Sequence, residues 1–260
     1  MQQRKNANLE RQAELKKERD AKWGSPIWGI ETPFVESFDS AGQEAYSRVP
    51  KDAEGRPLEQ PHELPTSRHM LNHFLTREEL DEAMAHAHSL SRPVFSADNI
   101  DEAAKAAAEK RHEARHARAV EAIRRIVSMA NASSKSLRHA NMQRCIDEFG
   151  RHNTDKTLRP RPASIHTNPV EMPGRAGPDT GSSEVQIAIL TAKIRKLAQE
   201  LGQNRGYKDK MNKRNLRLLV HRRQRLMRYM NRKERGGPRW LNMLEKLGLS
   251  PATWQGQISF

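Results

Sequence analysis

Apolar side chains are scarce in this chain of 260 residues, of which 35% are hydrophobic and 5% aromatic, while 30% are charged. This composition argues against a large buried core and leaves two possibilities, disorder or long solvated helices. The frequent Ala, Glu, Lys, Arg and Leu residues favour helices. We therefore expect an all-α, extended protein with small cores.

Cysteine and long apolar runs are also missing. The single cysteine, Cys145, excludes an internal disulfide framework and a cysteine-rich zinc site, and it fits a reducing compartment. Met142, Ile146 and Phe149 surround it at helical spacing, which predicts a buried and inert thiol. No apolar stretch approaches the roughly 18 residues that a transmembrane helix requires, so we expect no membrane span.

Positive charge is what the chain has in excess. The formal net charge is +14. Residues 179 to 249 hold 18 Lys and Arg against 6 Asp and Glu, a net +12 that leaves only +2 for the rest of the chain. Clustered cations gain free energy by releasing counterions from phosphate backbones. The charge thus predicts a nucleic-acid partner bound by the C-terminal third.

Helix-forming stretches and proline-rich stretches alternate along the chain. We divide it into an N-terminal extension, a short first helix, a proline-rich basic insert, a helical core and a tail, at residues 1–136, 137–151, 152–178, 179–249 and 250–260. The insert shows no helical period, which predicts an extended linker. We expect an extension that is mostly helical and irregular.

Three features stand out in the extension. The stretch from Trp23 to Pro65 is broken by prolines, which predicts a loop. Its aromatic residues either anchor on a partner surface or pack on the chain's own helices: Trp23, Trp28, Phe34 and Phe38. Further on, Thr76 and Glu79 have the spacing of a capping box, which predicts a helix to about Leu90. A longer helix then begins near Asp98 or Asn99, and its apolar stripe near the C-terminal end comprises Val120, Ile123, Ile126 and Val127.

The C-terminal third has the clearest helical pattern. Five apolar residues recur at steps of three and four after Ser182: Ile187, Leu190, Ile194, Leu197 and Leu201. A second amphipathic helix follows that is rich in arginine, and a short third helix ends at Gly248. Together with the helix around Cys145, these elements predict a small four-helix bundle.

One motif suggests an enzyme. His112-Glu113-Ala114-Arg115-His116 matches H-E-x-x-H, in which two helical histidines bind zinc and the glutamate activates water. Its flanks are cationic and alanine-rich, without an apolar wall to bury a metal, so we interpret it as a solvated or RNA-facing helix. No other nucleophile, base or phosphate-binding loop appears. We expect no enzyme, no cofactor, no metal and no small-molecule substrate.

The ordered blocks of the C-terminal third resemble ribosomal small-subunit protein fifteen of the bacterial type. The string DTGSSEVQIA from Asp179, followed by Leu190, Thr191 and Ile194, is similar to the signature of that family. IDEFGR at 146–151, the arginine-rich 214–229 and LEKLGL at 244–249 follow its order. The resemblance implies a four-helix protein that binds a three-way junction of small-subunit rRNA, supports subunit assembly and translation, contacts neighbouring ribosomal proteins and reaches toward the large subunit.

The resemblance also implies site residues. The junction contacts of the family correspond to Thr180, Gly181 and Gln186. A second groove contact corresponds to Asp209 and Asn212, where Asn212 replaces the usual serine and Glu200 lies near the place of a histidine, so this contact is expected to be altered. The basic helix adds further RNA-binding residues, namely Arg214, Arg222, Arg223, Arg225, Tyr229 and Arg232.

The additions to the family core resemble those of mitochondrial members, particularly fungal ones, which implies a ribosome of the mitochondrial matrix. Glu10, Glu14, Glu18 and Asp20 are unusual for a mitochondrial presequence. Targeting is therefore atypical, or the presequence has been removed. The alternatives are a non-specific RNA or DNA chaperone and, more distantly, a zinc hydrolase acting through His112 and His116.

Overall fold

The computed structural model describes residues 2–48, 60–67, 71–95, 102–159, 175–203 and 208–258. These residues form nine α-helices, and their only β pairing is three isolated bridges. The helices are α1 (Gln2–Trp23), α2 (Pro33–Glu36), α3 (Arg77–Ser91), α4 (Glu102–Val127), α5 (Ser134–Phe149), α6 (Arg151–Thr157), α7 (Ser183–Gln203), α8 (Lys210–Glu234) and α9 (Pro238–Leu247). The expected all-α class is confirmed.

The chain forms two compact units. The first contains residues 1–65 and 141–260, and the second contains residues 66–140. In this grouping, the first 65 residues belong with the C-terminal helices, and the five-part division drawn from the sequence stays a prediction. Only the middle of the N-terminal extension forms a separate unit.

The antiparallel pair of α7 and α8 is the centre of the first unit. Val185 and Ile187, early in α7, share a buried cluster with Met227 and Met230, late in α8. A second cluster joins the later part of α7 to the earlier part of α8 through Leu190, Ile194, Leu216 and Val220, with Leu197, Leu201 and Leu219 packed against it. The apolar spacing seen in the sequence is therefore the buried seam of this pair.

Helices α5 and α9 complete the bundle. Cys145 and Phe149 of α5 and Trp240, Met243 and Leu247 of α9 are buried in the first cluster. Burial raises the pKa of the Cys145 thiol to about 12. The thiol is thus protonated at neutral pH, which confirms the buried, inert cysteine that the sequence predicted.

The segment between α1 and residue 48 packs on this bundle through aromatic side chains. Phe34 lies edge-on to Phe149, with ring centroids 5.6 Å apart, and Phe38 is buried in the same cluster. Trp23 and Trp28 remain 47% and 39% exposed. Of the four aromatic residues, Phe34 and Phe38 therefore anchor the segment on the chain's own helices.

A buried arginine holds the same segment from α5. The guanidinium of Arg144 donates to the carbonyl of Ser37 at 3.1 Å, to its hydroxyl at 2.6 Å and to the carbonyl of Pro65 at 2.9 Å. It also lies 5.5 Å from the centroid of the Phe34 ring. Burial lowers the pKa of Arg144. A charged group held by neutral oxygens thus ties both this segment and Pro65 to the bundle.

The start of the proline-rich insert is helical, contrary to the extended linker expected for residues 152–178. Helix α6 begins after Gly150, and the buried Thr154 hydroxyl donates to the Gly150 carbonyl at 3.2 Å. Asp155 pairs with Arg239 and with Arg175. These tertiary contacts stabilise a helix too short to show a period. Residues 160–174 lie outside the described residues.

The second unit is a helical hairpin with a small core. Thr76 caps α3 as expected, because its hydroxyl accepts from the Glu79 amide at 3.2 Å and the Glu79 carboxylate accepts from the Thr76 amide at 2.8 Å. The hairpin core comprises Leu80, Met84 and Val127, with Leu71, Leu75 and Val120 packed against it. The expected stripe of α4 is only half buried, since Ile123 and Ile126 are exposed. Asp98 and Asn99 lie outside the described residues.

We expect Gly248→Ala to destabilise the first unit strongly. Gly248 ends α9 at φ +59, and an added Cβ would overlap the carbonyl oxygen of Ile30, whose amide donates to the Gly248 carbonyl at 2.7 Å. The left-handed backbone costs about 1–2 kcal/mol. The overlap with backbone brings the expected loss to about 3 kcal/mol or more.

Gly256→Ala is the matched control. Gly256 has φ +66 with no atom within 4 Å of an added Cβ, so it isolates the backbone cost. Urea unfolding followed by circular dichroism measures both variants. Equal losses in the two variants would show that the approach of Ile30 to Gly248 does not contribute.

Candidate nucleic-acid interface

The turn before α7 is built around one carboxylate. Oδ1 of Asp179 accepts from the amides of Gly181 and Ser182, both at 3.2 Å, and Oδ2 accepts from the amide of Arg151 at 3.2 Å. Partial burial opposes ionisation of Asp179, but these hydrogen bonds outweigh it and lower the pKa of that carboxyl. The ionised carboxylate fixes the shape of the turn at neutral pH.

Gln186, in the first turn of helix α7, closes the loop before that helix. Its side-chain amide donates to the carbonyl of Gly181 at 2.8 Å. Thr180 and Gly181 are exposed at the tip. A Cβ at Gly181 would meet no atom within 4 Å, and its φ is not in the left-handed region. The protein's own packing does not require glycine here, so the open space is available to an approaching molecule.

Five of the six basic-helix residues that the resemblance implied are exposed on one side of α8. At about 100° per residue, their positions fall within an arc of about 80°. They are Arg214, Arg222, Arg225, Tyr229 and Arg232. Met211 and Leu218 share this side, with exposures of 67% and 57%. These two apolar residues were not predicted as part of the interface, although their helical spacing to Arg225 was a signal for them.

The structure corrects the expectation that Arg223, the sixth of these residues, binds RNA. Its side chain is fully buried and donates to the carbonyls of Pro26 at 2.8 Å and Ile27 at 3.0 Å. Burial lowers its pKa to about 10. The N-terminal segment occupies the face of α8 that carries this residue. Arg223 therefore binds the chain's own backbone and is removed from the interface.

The residues of the expected second groove contact lie at the other end of the bundle. Asp209 caps α8, accepting from the Asn212 amide at 2.9 Å and from its side chain at 2.6 Å. These hydrogen bonds lower the pKa of Asp209. Glu200 pairs with Lys196 at 3.1 Å. Because α7 has 21 residues, this end lies about 30 Å from the turn of Asp179.

A buried carboxyl stands directly behind the turn. Glu184 is 4% exposed, and its carboxylate oxygens lie 4.0 Å from Arg151 Nε and 3.8 Å from an Arg239 terminal nitrogen. These separations are too long for hydrogen bonds, and Oε2 has no hydrogen-bond partner in the described structure. Burial raises the pKa of Glu184 to about 7, although the Arg151 charge opposes that change. The Glu184 carboxyl, at the base of the turn, is thus expected to change its protonation state near neutral pH.

The H-E-x-x-H motif lies elsewhere, in the second unit. The rings of His112 and His116 pack against His88 of α3, with centroids 4.8 and 4.6 Å from it. Nε2 of His112 lies 2.9 Å from the Ser91 hydroxyl. Among the described residues, no group of three or more His, Cys, Asp or Glu side chains has an arrangement that could hold a metal ion. The motif is part of the seam between α3 and α4.

The fold and the site define a class of protein: a small basic helical bundle that presents a rigid turn beside an arginine-bearing helix face. The profile of the family described as Ribosomal protein S15 matches residues 166–250. The small ribosomal subunit protein uS15m of Neurospora crassa is 52% identical over 262 residues, which cover 99% of this chain and 82% of that protein. The chain belongs to the ribosomal protein S15 family, as a mitochondrial member of the fungal type.

Two further relatives show how the chain is built. The uS15 protein of the bacterium Alkalilimnicola ehrlichii is 39% identical over 80 residues, 31% of this chain and 85% of that protein. The uS15m protein of Schizosaccharomyces pombe is 31% identical over 130 residues, 50% of this chain and 35% of that protein. The bacterial match is confined to a core, whereas the Neurospora match includes the additions. The family is a ribosomal one, and none of the described helices has the length and apolarity to cross a bilayer.

The neighbours Arg222 and Arg223 provide a matched pair of variants. Arg223→Ala leaves the carbonyls of Pro26 and Ile27 without their donor and opens a cavity, so we expect it to lower the free energy of unfolding by about 2–4 kcal/mol. Arg222→Ala removes an exposed side chain and should change stability by about 0.5 kcal/mol or less. Chemical unfolding measures both. Equal stabilities would contradict the buried role of Arg223.

Glu184 predicts a pH dependence of stability. Its pKa in the folded state, about 7, exceeds the ordinary value of a carboxyl. The contribution of protonated Glu184 to folding stability is therefore fully present below the pKa of Glu184 in the unfolded chain. It is lost as pH rises through the pKa of Glu184 in the folded protein. Between about pH 5 and pH 8, the wild type should lose on the order of 1–3 kcal/mol relative to Glu184→Gln. Parallel pH profiles of the two proteins in urea unfolding would refute this assignment.

Proposed function

We propose that this protein is a structural component of the small subunit of the mitochondrial ribosome in the matrix, where it binds a three-way junction of the rRNA and supports subunit assembly and translation. Its partners are the rRNA and neighbouring small-subunit proteins, with a contact toward the large subunit. The main support for this proposal is the exposed tip formed by Thr180 and Gly181. Hydrogen bonds of Gly181 to Asp179 and Gln186 hold this tip in a fixed shape. A preorganised tip loses little entropy on binding.

In this proposal, the antiparallel pairing of α7 and α8 brings the residues that give specificity and residues that give affinity to one end of the bundle. The turn precedes the first residue of α7, and Arg225, Tyr229 and Arg232 lie in the second half of α8, toward the same end of the bundle. Arginine can grip phosphates with paired donors, and tyrosine can stack or hydrogen-bond. In the proposed complex, the turn reads the junction and the helix face neutralises its backbone.

The second groove contact takes an altered form in this proposal. The Asp209 carboxylate is engaged by the amide and side chain of Asn212, and Glu200 brings a negative charge to the same end of the bundle. A carboxylate close to phosphates is unfavourable. We propose that Asp209 and Asn212 contribute less affinity than the turn does.

The turn and the basic helix face should respond differently to mutation. Thr180→Ala combined with Gln186→Ala should weaken binding to a junction RNA about 10-fold at constant salt, because shape-specific contacts are lost. Arg225→Ala should weaken binding to any RNA and reduce the slope of log K against log salt by about 0.7–0.9. Filter binding to a junction RNA and to a plain duplex, across a salt series, measures both effects.

Two outcomes would contradict the proposal. Unchanged junction affinity in the double variant would remove the turn from the interface. A wild-type protein that binds the plain duplex as tightly as the junction would favour a non-specific RNA chaperone. Arg223→Ala is the control in α8: among molecules that remain folded, its salt slope should equal that of the wild type.

A further inference from the structure

Helix α4 of the second unit has two opposite faces. One face meets α3 and carries half-buried residues at steps of four, including His112, His116 and Val120. The other face has six residues that line a common surface depression: Ala107, Lys110, Arg111, Ala114, Arg115 and Arg118. Their spacing of three and four keeps them on one side of the helix. We name the four cations among them the α4 basic stripe.

The α4 basic stripe is exposed and carries no compensating charge. Lys110, Arg111, Arg115 and Arg118 are exposed, and in the described structure none of them forms an ion pair. Arg118 only donates to the carbonyl of Ala114 in its own helix, at 3.2 Å. The stripe therefore keeps its full positive charge available to another molecule.

Around the stripe itself, the glutamates of α4 lie on the opposite side of the helix. Glu102, Glu109 and Glu113 lie about 150° around the helix from the centre of the stripe, at about 100° per residue. Glu121 follows one turn after Arg118 on the stripe's side, where it pairs with Arg125 at 2.8 Å. Arg111 and Arg115 are instead four residues apart, a like-charge spacing that destabilises a helix by about 0.2–0.5 kcal/mol. A face that only has to be soluble gains by mixing signs. This arrangement is favourable once a polyanion neutralises it.

The surroundings of the stripe favour nucleic acid over a membrane. A helix that lies in a lipid surface needs a broad apolar face beside its cations. Only Ala107 and Ala114 separate the cations here, and their short side chains let a rigid backbone approach the helix closely. Lys110 to Arg118 span about 12 Å, a length over which a nucleic-acid duplex presents several phosphate charges.

We infer that the α4 basic stripe is a second RNA-binding surface, which contacts the phosphate backbone of an RNA helix outside the junction. The surface belongs to the second unit alone and uses none of the residues of the turn before α7. It supplies affinity without sequence preference, because its cations can meet phosphates but few base edges. The inference extends the proposed function to the N-terminal extension and does not depend on the junction contacts.

The test compares two triple variants of the full chain with equal charge. The stripe variant is Arg111→Gln, Arg115→Gln and Arg118→Gln. The control is Arg77→Gln, Arg124→Gln and Lys135→Gln, which removes three exposed cations of the same unit outside the stripe. Glutamine is a good helix former, so both variants should keep their helical circular dichroism.

Binding to a plain RNA duplex across a salt series is the readout. The stripe variant should lose about 10-fold or more in affinity at low salt, and its slope of log K against log salt should fall by about 2. The control should change clearly less. Equal losses in the two variants, or an unchanged stripe variant, would overturn the inference.

Two further measurements separate this inference from its alternatives. The ratio of junction to duplex affinity should be the same in the stripe variant and the wild type, because only the turn sets it. A junction-to-duplex ratio of one in the wild type would refute the junction proposal. A loss of duplex affinity in the stripe variant would still support the inference about the stripe. Binding to vesicles of phosphatidylserine and phosphatidylcholine that depends on the stripe, with duplex binding unchanged by the variant, would assign the stripe to a membrane surface instead.

Discussion

The antiparallel seam between α7 and α8 is the constraint on which the rest of the first unit depends. Because Ile187 packs near Met227 while Ile194 packs near Val220, the start of one helix must lie beside the end of the other. That register places the turn of Asp179 at the same end of the bundle as the exposed Arg225 and Arg232 of α8. It also sends Asp209 to the far end, about 30 Å away. Apolar packing thus decides which polar residues can act together.

Buried arginines extend this bundle into the N-terminal addition. Arg144 and Arg223 each bind backbone carbonyls of residues before 66, and Arg195 pairs with Asp39 at 2.8 Å and Glu31 at 2.8 Å. Burying a guanidinium is unfavourable unless its donors are satisfied, so each arginine requires the segment that supplies its acceptors. The segment in turn lacks enough apolar residues to fold alone. The two parts therefore stabilise each other.

The sequence predicted those features that have a local signature. The capping box of Thr76, the apolar seam of α7, the end of α9 and the buried Cys145 all follow from local sequence signals. Arg223 did not, because its neighbours in α8 have the same residue type and only a segment about 200 residues away covers it. Helix α6 was missed for a similar reason, since Asp155 pairs with Arg239 and Nδ1 of His152 accepts from the Asp179 amide at 3.2 Å. Tertiary contacts decided both cases.

Arginine acts in opposite ways beside the first 65 residues and in α4, and a count of charges cannot separate the two cases. Where the chain supplies carbonyls and aromatic rings, as around Arg144, the guanidinium becomes an internal crosslink and is lost to any partner. Where the helix offers only alanine beside it, as at Arg111 and Arg115, the charge stays outside. An excess of like charge on an exposed face lowers the stability of the free protein and is relieved when phosphate is bound. The apolar core of the second unit is small. If RNA binds the α4 basic stripe, this unit gains part of its stability from that binding.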